Sequence, residues 1–340
     1  MKNLLRHIFR NGKEPKALVL MYHRVVETDT DIWDIAVSPS NFEQQLQILQ
    51  ESDNVISLAE LAKKVVQRNI NKNYIAITFD DGYSDNYISA KPLLEKYDMP
   101  ATFFITSSNV DKDDAFWWDE LELLILHSKH LPSSFFMAIG EDSIEFDLLE
   151  DAQLTDEQSK VNAAWKACDE APPSRRCALF LRLWQCLKPL PQEEQQQHLV
   201  KIRNWAGAVD PTPEALKSIT AEQLKIMSNH KLFDIGAHTL SHPALASHSL
   251  GYQKQEILGS KSDLHAITGR EISLLAYPYG NYNAETLKAA AETNFEAAFT
   301  TEEKLVTNKS NRYALARYQV KNWTGSEFNG YLQQWLSKSK

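Results

Sequence analysis

The sequence of 340 residues contains no run approaching the ~20 consecutive apolar residues that a membrane-spanning helix requires. Its three cysteines, Cys168, Cys177 and Cys186, are odd in number and form no C-x-x-C pair, which argues against a disulfide framework and against a cysteine-built metal site. Basic character is also missing. A formal net charge of −9 leaves no overall footprint for phosphate backbones, so nucleic acid is not the expected partner. The N-terminus, Met1 to Arg10, has no apolar stretch of secretory length and no small-residue cleavage site. Nothing there marks the chain for export, and a cytoplasmic location is the expectation. Internal repeats and low-complexity tracts are absent as well.

What is present is ordinary for a globular protein. The hydrophobic fraction of 43% supports a sizeable core, and the length allows one large or two smaller domains, because single cores stop growing at about 250–300 residues. The charge is unevenly placed. Residues 113–160 hold 13 Asp or Glu against Lys129 and Lys160 alone, which reads as a solvated acidic face that would repel an anionic ligand. Lys2, Arg6 and Arg10 alternate with Leu4, Leu5, Ile8 and Phe9, so a helix in residues 1–12 would be amphipathic. It reads first as a frayed terminus or a helix packed on its own domain, and second as a peripheral membrane contact.

Short apolar runs at Ala17 to Tyr22, Tyr74 to Phe79, Ala101 to Thr106, Phe233 to Ala237, Ser273 to Tyr277 and Glu296 to Thr300 have the length and composition of buried strands. Between them lie helical patterns over 41–50 after Ser40, beyond the Ser57/Glu60 pair, over 252–268 before Gly269, and over 284–292 after Asn283. Alternation of strand and helix predicts an α/β fold with a parallel sheet or barrel. That alternation fails between 113 and 215, where a hairpin around Gly140 is followed by Gln-rich helical sequence. The expected organisation is a basic segment 1–16, a first barrel part 17–112, a mainly helical insertion 113–215, and a second barrel part 216–340.

The chemistry collects at the ends of the predicted strands. His23, Asp80 with Asp81, His238, and Pro278-Tyr279-Gly280 each follow an apolar run, and C-terminal strand ends are where α/β barrels and open sheets place their sites. Two histidines and one carboxylate suit zinc or a similar divalent ion and leave a coordination position open. His238, His242 and Asp81 can supply those ligands, leaving Asp80 as a base. Adjacent strand residues point to opposite faces, so both aspartates reach one site only if the chain turns there, and Gly82 permits a turn. The turn at Tyr279 and Gly280 can bring a backbone N–H close to a developing oxyanion.

Ile77-Thr78-Phe79-Asp80-Asp81-Gly82-Tyr83, Ala237-His238-Thr239-Leu240-Ser241-His242 and Ala276-Tyr277-Pro278-Tyr279-Gly280 resemble the first three motifs of the polysaccharide deacetylase (NodB-homology) family, carbohydrate esterase family 4. The resemblance covers about Ala17 to Ile105 and Leu232 to Val320. It implies a distorted (β/α)7 barrel and metal-dependent removal of an N-acyl group from an amino sugar. In that pattern Asp80 is the base, Asp81, His238 and His242 hold the metal, and Tyr279 lends its backbone N–H to the oxyanion.

Two departures matter. Where many members carry an Arg early in the third motif this chain has Ala276, and no Arg occurs from Glu271 to Asn311, so Arg317 is the candidate to orient the base. Many members also supply an acidic His from a late motif, but no His follows His265. His23, in Tyr22-His23, resembles the early element of the branch that deacetylates poly-N-acetylglucosamine, and is the candidate general acid. Trp117 and Trp118 read either as anchors of the insertion or as a sugar-stacking platform, and Tyr277 is named with them as a candidate substrate contact.

The expectation is therefore an amino-sugar N-deacylase using a divalent metal, zinc by its ligand set, on a nucleotide- or lipid-linked precursor or an oligosaccharide. A glycan-binding module that has lost catalysis is the alternative, and hydrolysis of another amide or a phosphoester is a third reading. Oligomeric state is not encoded in any recognisable pattern.

Overall fold

A computed structural model describes residues 14–140, 142–207 and 212–337; the amphipathic segment 1–12 lies outside the described residues. The apolar runs become six parallel strands: β1 (Ala17–Tyr22), β2 (Tyr74–Phe79), β3 (Ala101–Ile105), β4 (Phe233–Ala237), β5 (Leu274–Ala276) and β6 (Ala297–Phe299). A seventh, β7 (Tyr318–Gln319), pairs with β1 and gives the order β6-β5-β4-β3-β2-β1-β7. The sheet curls, and the segment before β7 brings its edges together. Phe299 bridges Leu315, and the amides of Leu315 and Ala298 donate to the carbonyls of Ala298 and Arg312. This is the distorted barrel of the α/β expectation.

The helices around it are α1 (Pro39–Gln50), α2 (Leu58–Val66), α3 (Lys91–Lys96), α4 (Ala221–Ser228), α5 (Leu250–Thr268), α6 (Ala284–Glu292) and α7 (Gly325–Ser337). Their ends follow local chemistry. Ser57 accepts from the Glu60 amide, Asn283 and Thr286 form a reciprocal capping box, and α5 stops at Gly269 in the left-handed region (φ 67°). Helix α1 starts two residues earlier than its pattern suggests, because Ser38 rather than Ser40 is the cap and Pro39 fits the first helical position.

Thr28–Asp34 and Lys112–Ser218 make up a separate unit. The short segment 28–34, expected within the first barrel part, belongs to this unit: the Ala167 amide donates to the Ile32 carbonyl and Trp33 packs on Trp184. Its hairpin pairs Ser134–Ile139 with Asp142–Asp147, burying Phe135, Met137 and Ile139 on one face. Arg176, 1% exposed, ties the unit together by donating to the carbonyls of Ile125, Ser128, Asp151 and Ala152. Those carbonyls end short helical turns, and that of Ala152 also accepts from the Leu131 amide (2.9 Å).

Strand alternation divides the barrel's side chains into two cores. Leu18, Leu20, Ile75, Ile77, Phe103 and Ile235 face the helices, whereas Ala17, Val19, Ala76, Phe104, Ala276 and Phe299 form the inner cluster. Leu58, Leu61, Ala62 and Val65 of α2 join the second cluster, with Phe104 among its larger side chains. Gly236 is part of that fit, since a Cβ there would lie 2.5 Å from two ring carbons of Phe104. Replacing Gly236 by Ala should overpack the interior and lower unfolding free energy by about 1–3 kcal/mol, measured by urea denaturation.

Candidate active site and metal centre

Register places the functional groups. Tyr22 is paired with Phe79, so His23 and Asp80 leave the sheet side by side, and the Asp80 amide donates to the Tyr22 carbonyl (3.0 Å). Ile105 is paired with Ala237, which sets His238 at the neighbouring strand end. Thr78 and Asp80 share the inner face by alternation. Asp81 would point away, but its own φ is 72° and that of Gly82 is 92°, so the chain turns at the aspartate and not at the glycine alone. Asp tolerates the left-handed region better than most residues. Both carboxylates thereby reach one site.

Asp80 is held by a fork. Arg317, fully buried, donates from Nη1 to Oδ1 (2.6 Å) and from Nη2 to Oδ2 (2.7 Å), while its Nε donates to the Thr300 carbonyl (3.0 Å) and Nη1 also reaches Thr78 Oγ1 (3.3 Å). Such bidentate pairing fixes the carboxylate plane. Burial would raise the Asp80 carboxyl, but the Arg317 guanidinium, with His238 and His23 adding to it, leaves it below the usual carboxylate range.

One residue on, Asp81 Oδ1 lies 3.4 Å from His238 Nε2 and 3.2 Å from His242 Nε2, and a ligand atom from each of the three residues falls within 4.8 Å of the others. Burial opposes charge on Asp81, yet the two imidazoles of His238 and His242 beside it hold it well below the ordinary value. Burial pushes His242 down to about 4, so the ring is neutral at neutral pH. His238 Nδ1 lies 2.9 Å from the Ala276 carbonyl, which can only accept, so Nδ1 carries the hydrogen and Nε2 is left for the cluster. A lone pair facing a carboxylate oxygen is satisfied by a cation between them. The donor set therefore fits a divalent ion held by Asp81, His238 and His242.

The loop carrying the two histidines is strained and braced. Thr239 (φ 66°) and His242 (φ 63°) both occupy the left-handed region, which is costly for a β-branched residue. Thr239 Oγ1 accepts from the His242 amide (3.0 Å), and Glu256 of α5 accepts from the Ser241 amide (2.9 Å) and hydroxyl (2.8 Å). Leu240 packs where Gly259 of α5 has no side chain. Glu256 was not visible in the sequence because one buried carboxylate inside a mostly polar helical pattern has no periodic signature.

Tyr279 has φ 58° in the turn after β5, and its ring meets His242 edge to face at 4.5 Å. Tyr277 is fully buried, its hydroxyl donates to the Tyr313 carbonyl (2.9 Å), and it stacks on Tyr282, which makes it a core residue and not a sugar contact. Trp117 and Trp118 are each 5% exposed within the second unit; Trp118 stacks on Phe116 and Trp117 on Trp184. Their faces are taken by other rings, so the platform expectation gives way to anchoring. His23 is half-buried.

The polysaccharide deacetylase family pattern matches residues 67–137 and 193–298. Bacillus subtilis (strain 168) YxkH is 22% identical over 327 residues, covering 95% of this chain and 78% of that one. A poly-β-1,6-N-acetyl-D-glucosamine N-deacetylase of Staphylococcus aureus (strain N315) is 32% identical over 115 residues, which is 30% of this chain and 40% of that relative's length. Among solved structures, the Streptococcus pyogenes deacetylase PplD superposes with a TM-score of 0.55 at 19% identity, covering 96% of this chain and all of that one, a likeness of fold.

Two measurements test the metal centre. Asp81→Asn and His242→Ala should each lose stoichiometric divalent metal, read by elemental analysis of the purified protein. His242 moves from an ordinary value of 6.5 to about 4 on burial, so between those values the unfolded chain binds a proton that the folded one does not. The metal-free protein should lose stability as pH falls through that window, and His242→Gln should flatten that part of the slope in urea unfolding.

Proposed function

The chain belongs to the polysaccharide deacetylase family, and from that membership and the site's geometry we propose that it hydrolyses an N-acyl group, acetyl or formyl, from an amino sugar. The observation that carries the reading is an ionised, buried Asp80, clamped by Arg317, one residue from the ligand cluster of Asp81, His238 and His242. A base beside a three-ligand metal site with an open position is the arrangement that hydrolysis of an unactivated amide needs.

The residues divide the work as follows. A divalent cation, zinc by its ligand set, would supply Lewis acidity, acidifying water and polarising the acyl carbonyl enough to suit a base as weak as Asp80. Asp80 takes a proton from the water that attacks the acyl carbon, and each of its oxygens keeps a lone pair beyond the one given to Arg317. The backbone N–H at Tyr279 faces the negative charge that forms on the acyl oxygen. His23 gives a proton to the nitrogen as the C–N bond breaks, releasing a free amine and a carboxylate. Without that proton the amine would leave as an anion.

For substrate we propose a glycan precursor, nucleotide-linked or lipid-linked, or an oligosaccharide met in the cytoplasm. The limited match to a poly-β-1,6-N-acetyl-D-glucosamine deacetylase supports an N-acetylglucosamine unit. The acidic stretch 113–160 weighs against a highly anionic ligand at that face.

Three outcomes follow. Asp80→Asn should lower amine release by about a thousandfold while metal content stays stoichiometric. Arg317→Met removes the charge that depresses Asp80 and leaves burial to raise it, so the acidic limb of kcat/KM should move to higher pH. Stability should fall by about 3–5 kcal/mol because a buried carboxylate loses its partner. Amine release from a panel of free, nucleotide-linked, lipid-linked and polymeric N-acetylated and N-formylated sugars should favour the precursors; activity on polymers alone would refute that substrate class.

A further inference from the structure

The position of His23 is set by a cluster that neither the base nor the metal site uses. His23 Nδ1 is buried without a hydrogen-bond partner among the described residues. Its backbone is another matter. Asn86 Nδ2 donates to the His23 carbonyl (2.7 Å) and to Asp85 Oδ1 (3.0 Å). Asp85 in turn accepts from the Val25 amide at Oδ1 (3.0 Å) and from Arg24 Nε at Oδ2 (3.0 Å). Arg24 lies 4.5 Å over the ring of Tyr83. Residue 23 is thus tied to Asn86 and residues 24 and 25 to Asp85, and the two side chains are bonded to each other.

Those side chains are deep. Asn86 is fully buried, Asp85 is 4% exposed and Arg24 is 7% exposed. Asn86 Oδ1 has no partner, and turning the amide over would lose both of its donated bonds, so the present orientation leaves a buried acceptor unsatisfied. A buried ion pair and an orphaned carbonyl are poor sources of stability compared with apolar residues of similar size. Positional specificity is what they supply. Asp85 and Asn86 also follow Asp80 and Asp81 directly through the turn at Gly82, so one short segment carries the base, a metal ligand and the brace of the histidine.

We propose that Asp85 and Asn86 are positioning residues that fix the distance between His23 and Asp80, so that proton donation to the leaving nitrogen is matched to proton removal from water. The inference rests on the reading of His23 as general acid. It assigns no substrate contact to either residue. Their effect is specific to a leaving group that must be protonated, and that specificity separates positioning from general support of the fold.

The test compares two probes on the metal-loaded enzyme: an N-acetylglucosamine oligomer, whose amine must be protonated to leave, and 4-nitrophenyl acetate, whose phenolate leaves unaided. Asn86→Ala should lower kcat on the amide by at least about tenfold, with KM, metal content and ester hydrolysis within about twofold of wild type. Asp85→Asn, which keeps the acceptor for Val25 and removes the charge opposite Arg24, should show the same split and serves if Asn86→Ala does not fold. Equal losses on amide and ester in the folded variants would overturn the proposal. His23→Ala is the control: a split there without one in the Asp85 and Asn86 variants refutes positioning alone, whereas full amide activity in His23→Ala refutes the acid reading beneath it.

Discussion

The site is organised around a buried charge that has to be neutralised. Asp80 sits at the top of the barrel interior with 2% of its surface exposed, and a lone carboxylate there would be costly. Arg317 resolves this with a bidentate bond, and because it precedes β7, the bond also ties the last strand to the second. The same contact holds the Asp80 carboxyl below its usual range, locks its plane, and helps close the sheet between β6 and β1. An apolar pair could close a barrel as well. It could not leave an oriented carboxylate beside Asp81.

A second constraint is backbone conformation. Asp81, Thr239, His242 and Tyr279 are four of the ten described non-glycine residues with positive φ, and all lie in the turns that follow β2, β4 and β5. The surroundings hold them there: the Thr106 amide donates to the Asp81 carbonyl, Ser107 and Ser108 to those of Thr239 and Leu240, and Glu256 to neither but accepts from Ser241. Strain of this kind concentrates where geometry matters more than local stability.

Much of the barrel was legible because its signals are local. The runs at 17–22, 74–79 and 233–237 are strands with those bounds, since a buried parallel strand is a continuous apolar word set between turns. Ser57, Gly269 and Asn283 mark helix ends through bonds within four residues. β7 was not legible: two residues have no period, and their pairing with Leu20 and Met21 depends on chain nearly 300 residues away. The site divides the same way. Asp80, Asp81, His238 and His242 stand out by following strands, whereas the bracing roles of Glu256, Asp85 and Asn86 arise from tertiary packing. Trp117 and Trp118 illustrate the converse, since aromatic residues look alike in sequence whether they face a ligand or one another.

The fork between Arg317 and Asp80 spans 237 positions of the chain. A ribosome therefore delivers the carboxylate long before the guanidinium that compensates it, and Lys112–Ser218 of the second unit are synthesised in between. Until residue 317 emerges, the top of the barrel lacks both its closing strand and a counter-ion, so the early strands have a reason to stay hydrated at that end. Contacts so distant in sequence form late and slowly. The Asp80 carboxylate is thus also a completion signal: it is buried beside its counter-ion only in a chain whose final strand has arrived.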